Sequence, residues 1–437
     1  MSRRKKSFFG IFLLPCSAFF KLSLGKQISV AIILGCSFGV FLRFFDIGLN
    51  PASFKVLGDI FLDLVKMTIV PLIFFAISSA ILSMGDVKTL GKSSMQGVTL
   101  FIITNVFGVL IGLFTAVFLH PGLGSNIDLS KLKVDGSIQK LIASGKVNTS
   151  LGDKLLHIIP DNVFRAFYEA DLLQVMFFAI VFSVAASSVR AKIGSGLSNF
   201  VQSFAQIMYA MVKIVMKFAP FGIFGLMTWI AGVQEVSVIA SLVKLFASAV
   251  FAIFILVFIF YPAWLFIRFR VNPIIFMKKM MPVQIFGLAT GSSAAALPMN
   301  MKIAEEELGT SKDSTNLLMP IGTSIGMNGN ACILALYSVF VAQLFHIEIG
   351  LTDYATIGLI CFLSSLGSPP IPGGAVIILS GVLATLNYPL EALSLIFAID
   401  KLIGPVRTAG NVTGEAFTPL YIDILNKRWD KKKYYQK

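Results

Sequence analysis

Charge is what this chain has little of. Charged residues make up 13% of its 437 residues against 56% hydrophobic ones, and the mean hydropathy is +0.84. That scarcity excludes a soluble multidomain protein and implies a multi-pass membrane protein. Acidic residues are the scarcer sign, 22 against 36 Lys and Arg, for a net charge of +14. Such an excess is compatible with nucleic-acid binding in general, but its placement here argues otherwise. Arg3, Arg4, Lys5 and Lys6 precede the first apolar run, and Lys427, Arg428, Lys431, Lys432 and Lys433 follow the last. Lys88/Lys92, Arg190/Lys192 and Arg268/Arg270/Lys278/Lys279 fall in alternate short connections, while Gly232 to Val236 has no basic residue. This is the positive-inside pattern, with both termini cytoplasmic. Basic tails at a membrane attract anionic lipid, so no nucleic-acid partner is implied.

Cysteine and histidine are equally sparse. Cys16, Cys36, Cys332 and Cys361 lie in apolar surroundings without zinc-type spacing, and His120, His157 and His346 are scattered near segment ends. No resident metal or other cofactor is expected. No small-x-small cleavage site follows the apolar run Phe8 to Phe20, which reads as an uncleaved interfacial lead-in. No histidine or lysine is placed to activate Ser292 or Ser293, which argues against an enzyme.

What is present is concentrated in the last apolar stretch, Glu391 to Leu425. It carries Asp400, Gly404, Arg407, Asn411 and Glu415. At helical pitch these positions share an arc of roughly 80°, with Arg407 and Glu415 about 12 Å apart along the axis. An ionised side chain at mid-membrane costs about 3 kcal/mol, so this stripe must look onto protein or a wet cavity. Two readings follow: a structural ion pair, with Arg407 neutralised by Asp400 or Glu415, or a site for a charged solute.

Six crossings precede it: Ile28 to Phe45, Ile60 to Met84 with Lys66 and Pro71, Val98 to Leu119 with Thr104-Asn105, Leu172 to Ser188, Phe204 to Ala231 kinked at Pro220, and Val238 to Phe269. His120 to Leu151 is a long polar connection containing the glycosylation-type triplet Asn148-Thr149-Ser150. Two later segments cannot be uninterrupted helices. Pro273 to Met301 is broken by Gly291-Ser292-Ser293 and Pro298, and Ala355 to Tyr388 by Ser364 to Pro370 and Pro372-Gly373-Gly374. Their serines lie about 73 residues apart. The repeat suggests paired discontinuous hairpins in two halves, with helix ends aimed at a midplane site; two kinked helices packed through Ser and Gly are the alternative. Between them, Leu317 to Gln343 holds Gly322-Thr323-Ser324-Ile325-Gly326-Met327-Asn328-Gly329-Asn330. Each glycine weakens a helix by about 1 kcal/mol, and unwound carbonyls with asparagine are oxygen ligands for a hard cation.

These motifs resemble the dicarboxylate/amino-acid:cation symporters, the glutamate transporter family, over nearly the whole chain. Gly58-Asp59-Ile60-Phe61 through Pro71-Leu72, Pro121-Gly122 and Pro160-Asp161-Asn162 match, and most specifically so do Ser-Ser…Leu-Pro of the first hairpin and Arg407-Thr408…Asn411-Val412-Thr413-Gly414. The resemblance implies an all-α multi-pass membrane protein of about eight transmembrane helices plus two re-entrant helical hairpins, built as inverted repeats and assembled as a homotrimer. The implied divisions are a basic tail and lead-in (1–24), scaffold helices 1 and 2 (25–92), transport-domain helix 3 (93–121), an external loop (122–150), scaffold helices 4 and 5 (151–235), the rest of the transport domain (236–425) and a second basic tail (426–437). The transport domain is expected to slide as an elevator.

By the same resemblance Arg407 holds a substrate carboxylate, helped by Thr408, Asn411, Asn330, Ser292 and Ser293, with Gly404, Pro372 and Gly373 lining the site. A guanidinium fork suits a carboxylate in a way an ammonium does not. Glu415, Asn411, Gly322, Ser324, Gly326, Met327, Asn328, Ser365, Ser368, Thr104 and Asn105 take the positions of cation ligands. The departures from the family pattern are informative. The family's Asn-Met-Asp-Gly-Thr reads Gly326-Met327-Asn328-Gly329-Asn330, with an amide for the acid. A tyrosine and a serine of the third helix become Phe101 and Asn105. Glu415 stands for an aspartate; a desolvated carboxyl favours its neutral form, which points to proton rather than sodium coupling. Gly404 replaces the aspartate that binds an amino group, and the partner arginine is absent at Gly291 and Pro405, so a plain dicarboxylate is as natural a substrate as glutamate or aspartate. The expected function is a secondary symporter for small anionic carboxylates in a bacterial inner membrane, driven by Na+ or H+. An anion channel and a non-transporting carboxylate sensor are the alternatives. Replacing Arg407 by Ala is expected to abolish saturable carboxylate uptake while leaving the protein inserted, as read by uptake into liposomes beside an insertion assay.

Overall fold

The computed structural model describes residues 24–45, 49–83, 92–124, 159–169, 172–189, 194–233, 236–366, 368 and 373–436. The N-terminal basic run with Cys16, Lys88, the triplet at Asn148, His157, Arg190, Lys192 and Pro372 lie outside them. The described residues are helical throughout, without a strand. In order they form α1 (Leu24–Phe44), α2 (Lys55–Ser83), α3 (Lys92–Leu119), α4 (Val163–Tyr168), α5 (Leu172–Ser188), α6 (Gly196–Met216) and α7 (Ala219–Val233). There follow α8 (Val236–Phe254), a π-helical segment (Ile255–Phe260) and α9 (Tyr261–Phe269). The C-terminal half comprises α10 (Pro273–Thr290), α11 (Ser293–Glu306), α12 (Lys312–Ile325), α13 (Asn328–Leu344), α14 (Leu351–Leu366), α15 (Gly374–Thr385), α16 (Ala392–Leu425) and α17 (Lys431–Tyr435).

Among the described residues three stretches are long and apolar enough to cross a bilayer: Met95–Leu119, Ala240–Phe269 and Lys312–Leu344. The pair interrupted at Lys217 and Phe218 adds a fourth if taken as one span. Pro220 falls at the second position of α7, where its missing N–H costs nothing. Shorter apolar helices lie at Val30–Phe44, Val70–Ser79, Gln174–Ser188, Leu351–Leu366 and Gly374–Thr385. A several-pass helical membrane protein is what these lengths support.

The chain divides into two compact units. Met1–Val65 with Val212–Glu235 forms one. In it α1 packs along α7, and Phe38 meets Phe54 edge-on at 5.4 Å and stacks near Phe224 at 6.1 Å.

Lys66–Met211 with Val236–Lys437 forms the other. At one side Phe74 meets Phe178 and Phe182, and Phe75 stacks on Phe204. Elsewhere α16 packs against α8, α10, α11, α12 and α13, so the polar stripe of the last helix faces protein on several sides. Within this unit the most extensively packed helix pair is α3 with α13. Gly108 and Gly112 lie one turn apart on α3, directly against the backbone carbonyls of Asn328 and Cys332. Small residues at this spacing let two helices approach where lipid supplies no hydrophobic drive between them.

That closeness is testable. A Cβ at Gly112 overlaps the Cys332 carbonyl, and backbone cannot move aside cheaply. Gly112→Val is expected to destabilise by about 2 kcal/mol, within the range for overpacked sites, and to lower the thermal midpoint of the detergent-solubilised protein.

Candidate functional site

The site is built on α16, which runs unbroken through Pro405 and Pro419. Thr408 Oγ1 donates to the Gly404 carbonyl at 2.9 Å, one turn back, and its methyl faces Gly287 of α10. Arg407 is 2% exposed, and its Nη1 donates to Asp400 Oδ1 at 2.8 Å. The same oxygen accepts the Tyr337 hydroxyl of α13 at 2.9 Å. The guanidinium is therefore buried in protein and paired with Asp400, not with Glu415. Two edges of this pair stay close to Gly404: a Cβ built there lies 3.6 Å from Arg407 Nη2 and 3.7 Å from Asp400 Oδ2. Glycine keeps that space clear of side chain.

The break between α12 and α13 occurs where three glycines and two asparagines predict it, at Gly326 and Met327. A break inside protein strands carbonyls on one side and N–H groups on the other. Two asparagines from other helices take them up. Asn105 of α3 donates to the Ile325 carbonyl at the end of α12. Asn411 of α16 accepts from the N–H groups of Gly329 at 2.8 Å and Asn330 at 3.2 Å, and donates to Asn330 Oδ1 at 3.3 Å. Gly329 sits so close to the Arg407 carbonyl that no side chain fits between them. Asn411 thus fastens the start of α13 to the helix carrying Arg407.

Two turns beyond Arg407, Glu415 is fully buried. Its Oε2 accepts from Asn300 Nδ2 at 3.2 Å, and that amide also donates to the Val412 carbonyl at 2.9 Å. Glu415 Oε1, Asn300 Oδ1, both polar atoms of the Asn328 side chain and the Tyr261 hydroxyl have no hydrogen-bond partner. Tyr261 and Asn328 approach Gly414 from different helices. Phe101 fills the side of the pocket against Gly322 and Gly326, where a tyrosine would have added an oxygen. Among the described residues no lysine or arginine forms an ion pair with Glu415. A buried carboxylate with one amide donor is costly unless a proton or a cation joins it, and the orphaned oxygens nearby are of the type that hard cations accept.

The remaining candidates are placed as follows. Gly291 ends α10 in the left-handed region at φ 61°, and Ser292 caps α11 by accepting from Ala295 N–H at 3.3 Å; Ser293 is buried. α10 and α11 are therefore joined through a two-residue turn, as the Gly-Ser-Ser triplet predicts. Ser365 Oγ donates to the Phe362 carbonyl at 2.7 Å, and the buried Ser368 hydroxyl is unpartnered. Gly373 opens α15 at φ 79°. Thr104 Oγ1 donates to the Leu100 carbonyl of its own helix, Met327 is fully buried, and Ser324 is half-buried. Reading the sequence missed Tyr337, Asn300 and Gln284, whose amide donates to Thr413 at 3.1 Å. Asn300 was readable as a polar residue just after Leu297-Pro298. Tyr337 offered no such signal, because its partner Asp400 lies far along the chain.

The sodium:dicarboxylate symporter family matches residues 24–424. The chain is 30% identical over 421 residues to a C4-dicarboxylate transport protein of Bacillus subtilis, covering 94% of this chain and 95% of the relative. It is 32% identical over 406 residues to a C4-dicarboxylate transport protein of Paracidovorax citrulli, covering 92% and 88%. It is 28% identical over 418 residues to a proton/sodium-glutamate symport protein of Geobacillus stearothermophilus, covering 94% and 97%.

Removing one member of a buried ion pair leaves the other uncompensated, at a cost of about 3–5 kcal/mol. Asp400→Asn is accordingly expected to lower the thermal midpoint. A carboxylate ligand that replaces the lost charge restores it, so saturating succinate should raise the midpoint more in the variant than in the parent. Equal shifts in the two proteins would show that ligand and Asp400 do not share the guanidinium.

Proposed function

The chain belongs to the sodium:dicarboxylate symporter family, and from that membership we propose that it carries a small anionic carboxylate, a C4–C5 dicarboxylate or glutamate/aspartate, across a bacterial inner membrane. The drive is a Na+ or H+ gradient. The observation that carries this reading is the charge balance of the site. Arg407 and Asp400 sum to zero within 2.8 Å, so the site has no net positive charge to spend on a dianion. A dicarboxylate entering a low-dielectric pocket must bring cations with it or remain poorly compensated. Glu415, on the same helix and short of a positive partner, is where one such cation or proton binds.

In this reading Arg407 Nη2 takes a substrate carboxylate beside Gly404, while Thr408 and the Gly291–Ser293 turn border the site. Gly373, at the start of α15, closes it from the second hairpin. Asn411 and Asn330 hold the α13 break in place beneath it. The absence of a side chain at Gly404 supports a plain dicarboxylate, because an amino group there would meet only the already shared Asp400. Around this site the protein forms about eight crossings and two re-entrant hairpins. It assembles as a homotrimer, with a transport domain of helix 3 and residues 236–425 moving against a scaffold. The neutral pair also argues against an anion channel lined by Arg407, which needs uncompensated positive charge along an open path.

Purified protein in liposomes, given labelled succinate, 2-oxoglutarate, aspartate or glutamate under an imposed sodium or proton gradient, tests this directly. Saturable, gradient-driven accumulation of at least one of them is expected. Non-saturating flux would identify a channel, and binding without flux a sensor. Glu415→Gln removes the site's ability to gain and lose positive charge. It is expected to retain exchange of internal for external substrate while losing gradient-driven accumulation by about ten-fold or more.

A further inference from the structure

The residues after the last long helix do not trail away. Lys427 turns into the left-handed region, and Arg428 N–H donates back to the Asp423 carbonyl at 2.8 Å, closing α16 with a Schellman-type end. The chain then folds across the feet of α10 and α11. Asp430 N–H donates to the Gly309 carbonyl at 2.9 Å, and Trp429 Nε1 to the Leu308 carbonyl at 2.8 Å. Tyr434 is fully buried and donates to the Asn272 carbonyl at 2.8 Å, at the start of α10. Lys279 Nζ bridges the carbonyls of Glu307 and Lys433 at 3.0 and 2.9 Å. Trp429, Tyr434 and Tyr435 pack ring on ring. Asp423, also fully buried, accepts from Ser311 N–H and Ser314 Oγ at 2.6 Å each and pairs with Arg428 at 3.2 Å, so α12 is tied to the same point.

We propose that residues 426–436 are a staple that fixes both feet of the α10–α11 pair to the helix carrying Arg407, with Trp429 and Tyr434 as its positioning residues. The pair has one foot at Asn272–Lys279 and the other at Glu307–Gly309, and the segment bonds to both. A hinged helix pair opens by spreading or tilting at its feet. With both held to α16, the Gly291–Ser293 turn keeps a constant position relative to Arg407 throughout the transport cycle. Access to the site is then controlled by other elements.

The transport arm of this proposal rests on the carrier reading; a second arm does not. Hydrogen exchange on the solubilised protein should show the amides of 272–280 and 307–311 exchanging about ten-fold faster or more after truncation following Lys427, and more modestly faster in Tyr434→Phe. Unchanged exchange in these segments would overturn the staple whether or not the protein carries carboxylates. Lys433 Nζ also reaches the Glu305 carbonyl at 3.5 Å; in liposomes, Glu305→Cys with Lys433→Cys, bridged by a short bis-maleimide, should take up substrate at the rate of the unbridged protein. Loss of uptake on bridging would overturn the proposal, since it would mean that the segment must let go. The truncated protein, in which the turn is no longer held against Arg407, should show KM raised about five-fold or more, and Tyr434→Phe a smaller rise in the same direction. An unchanged KM in the truncated protein would sink the positioning role.

Discussion

A guanidinium buried at 2% exposure dictates the rest of the architecture. A buried guanidinium carries a positive charge that its surroundings must balance. Asp400 supplies the opposite charge from the same helix, two turns earlier, and Tyr337 steadies the carboxylate from α13. The resulting neutrality lets a helix with this composition sit inside a membrane protein at all. It also sets the terms on which a second acid can enter. In the proposed reading, an anion shares the guanidinium with Asp400 only if further positive charge accompanies it. Co-transport of cations then follows from Coulomb's law in a poorly polarisable pocket rather than from a separate device.

A second demand comes from the interrupted helix α12–α13. Interrupting a helix exposes polar backbone that must be satisfied where there is no water. The protein meets it with two side-chain amides: Asn105 receives the end of one half, and Asn411 the beginning of the other. A side-chain amide can donate and accept, whereas an ionised carboxylate can only accept. The same economy explains why Asn411 cannot be regarded as a free ligand. Its oxygen already accepts two backbone donors next to Arg407. Asn328 is different, since its whole amide is buried and unpartnered beside Tyr261. It remains open to whatever charge reaches Glu415.

Much of this was readable from the residues in order. The last long segment was expected from Glu391 to Leu425 and runs Ala392–Leu425, because its apolar face and its lack of an early breaker leave no alternative. The turn at Gly291–Ser292 and the break at Gly326 and Met327 follow from glycine and serine where a helix cannot pay for them. The π-helical segment Ile255–Phe260 was not legible. Its six apolar residues fit an α-helix equally well. The sequence leaves Asp400 and Glu415, on one helix face with Arg407, as alternative partners in an ion pair, and the structure pairs Arg407 with Asp400. Tyr337 and Asn300 were not legible, because periodicity within one segment is silent about which residue of another segment it meets. The basic C-terminal residues were read as lipid-attracting. Charge counting hid the Trp429, Tyr434 and Tyr435 rings interleaved with them.

The length of α16 has a mechanical consequence. Its 34 residues span about 51 Å at 1.5 Å per residue, roughly 20 Å more than the hydrocarbon layer is thick. One continuous rod therefore joins the buried guanidinium to the residues around both of its ends. A displacement applied at either end reaches Arg407 as translation or rotation rather than being absorbed by a loop along the way.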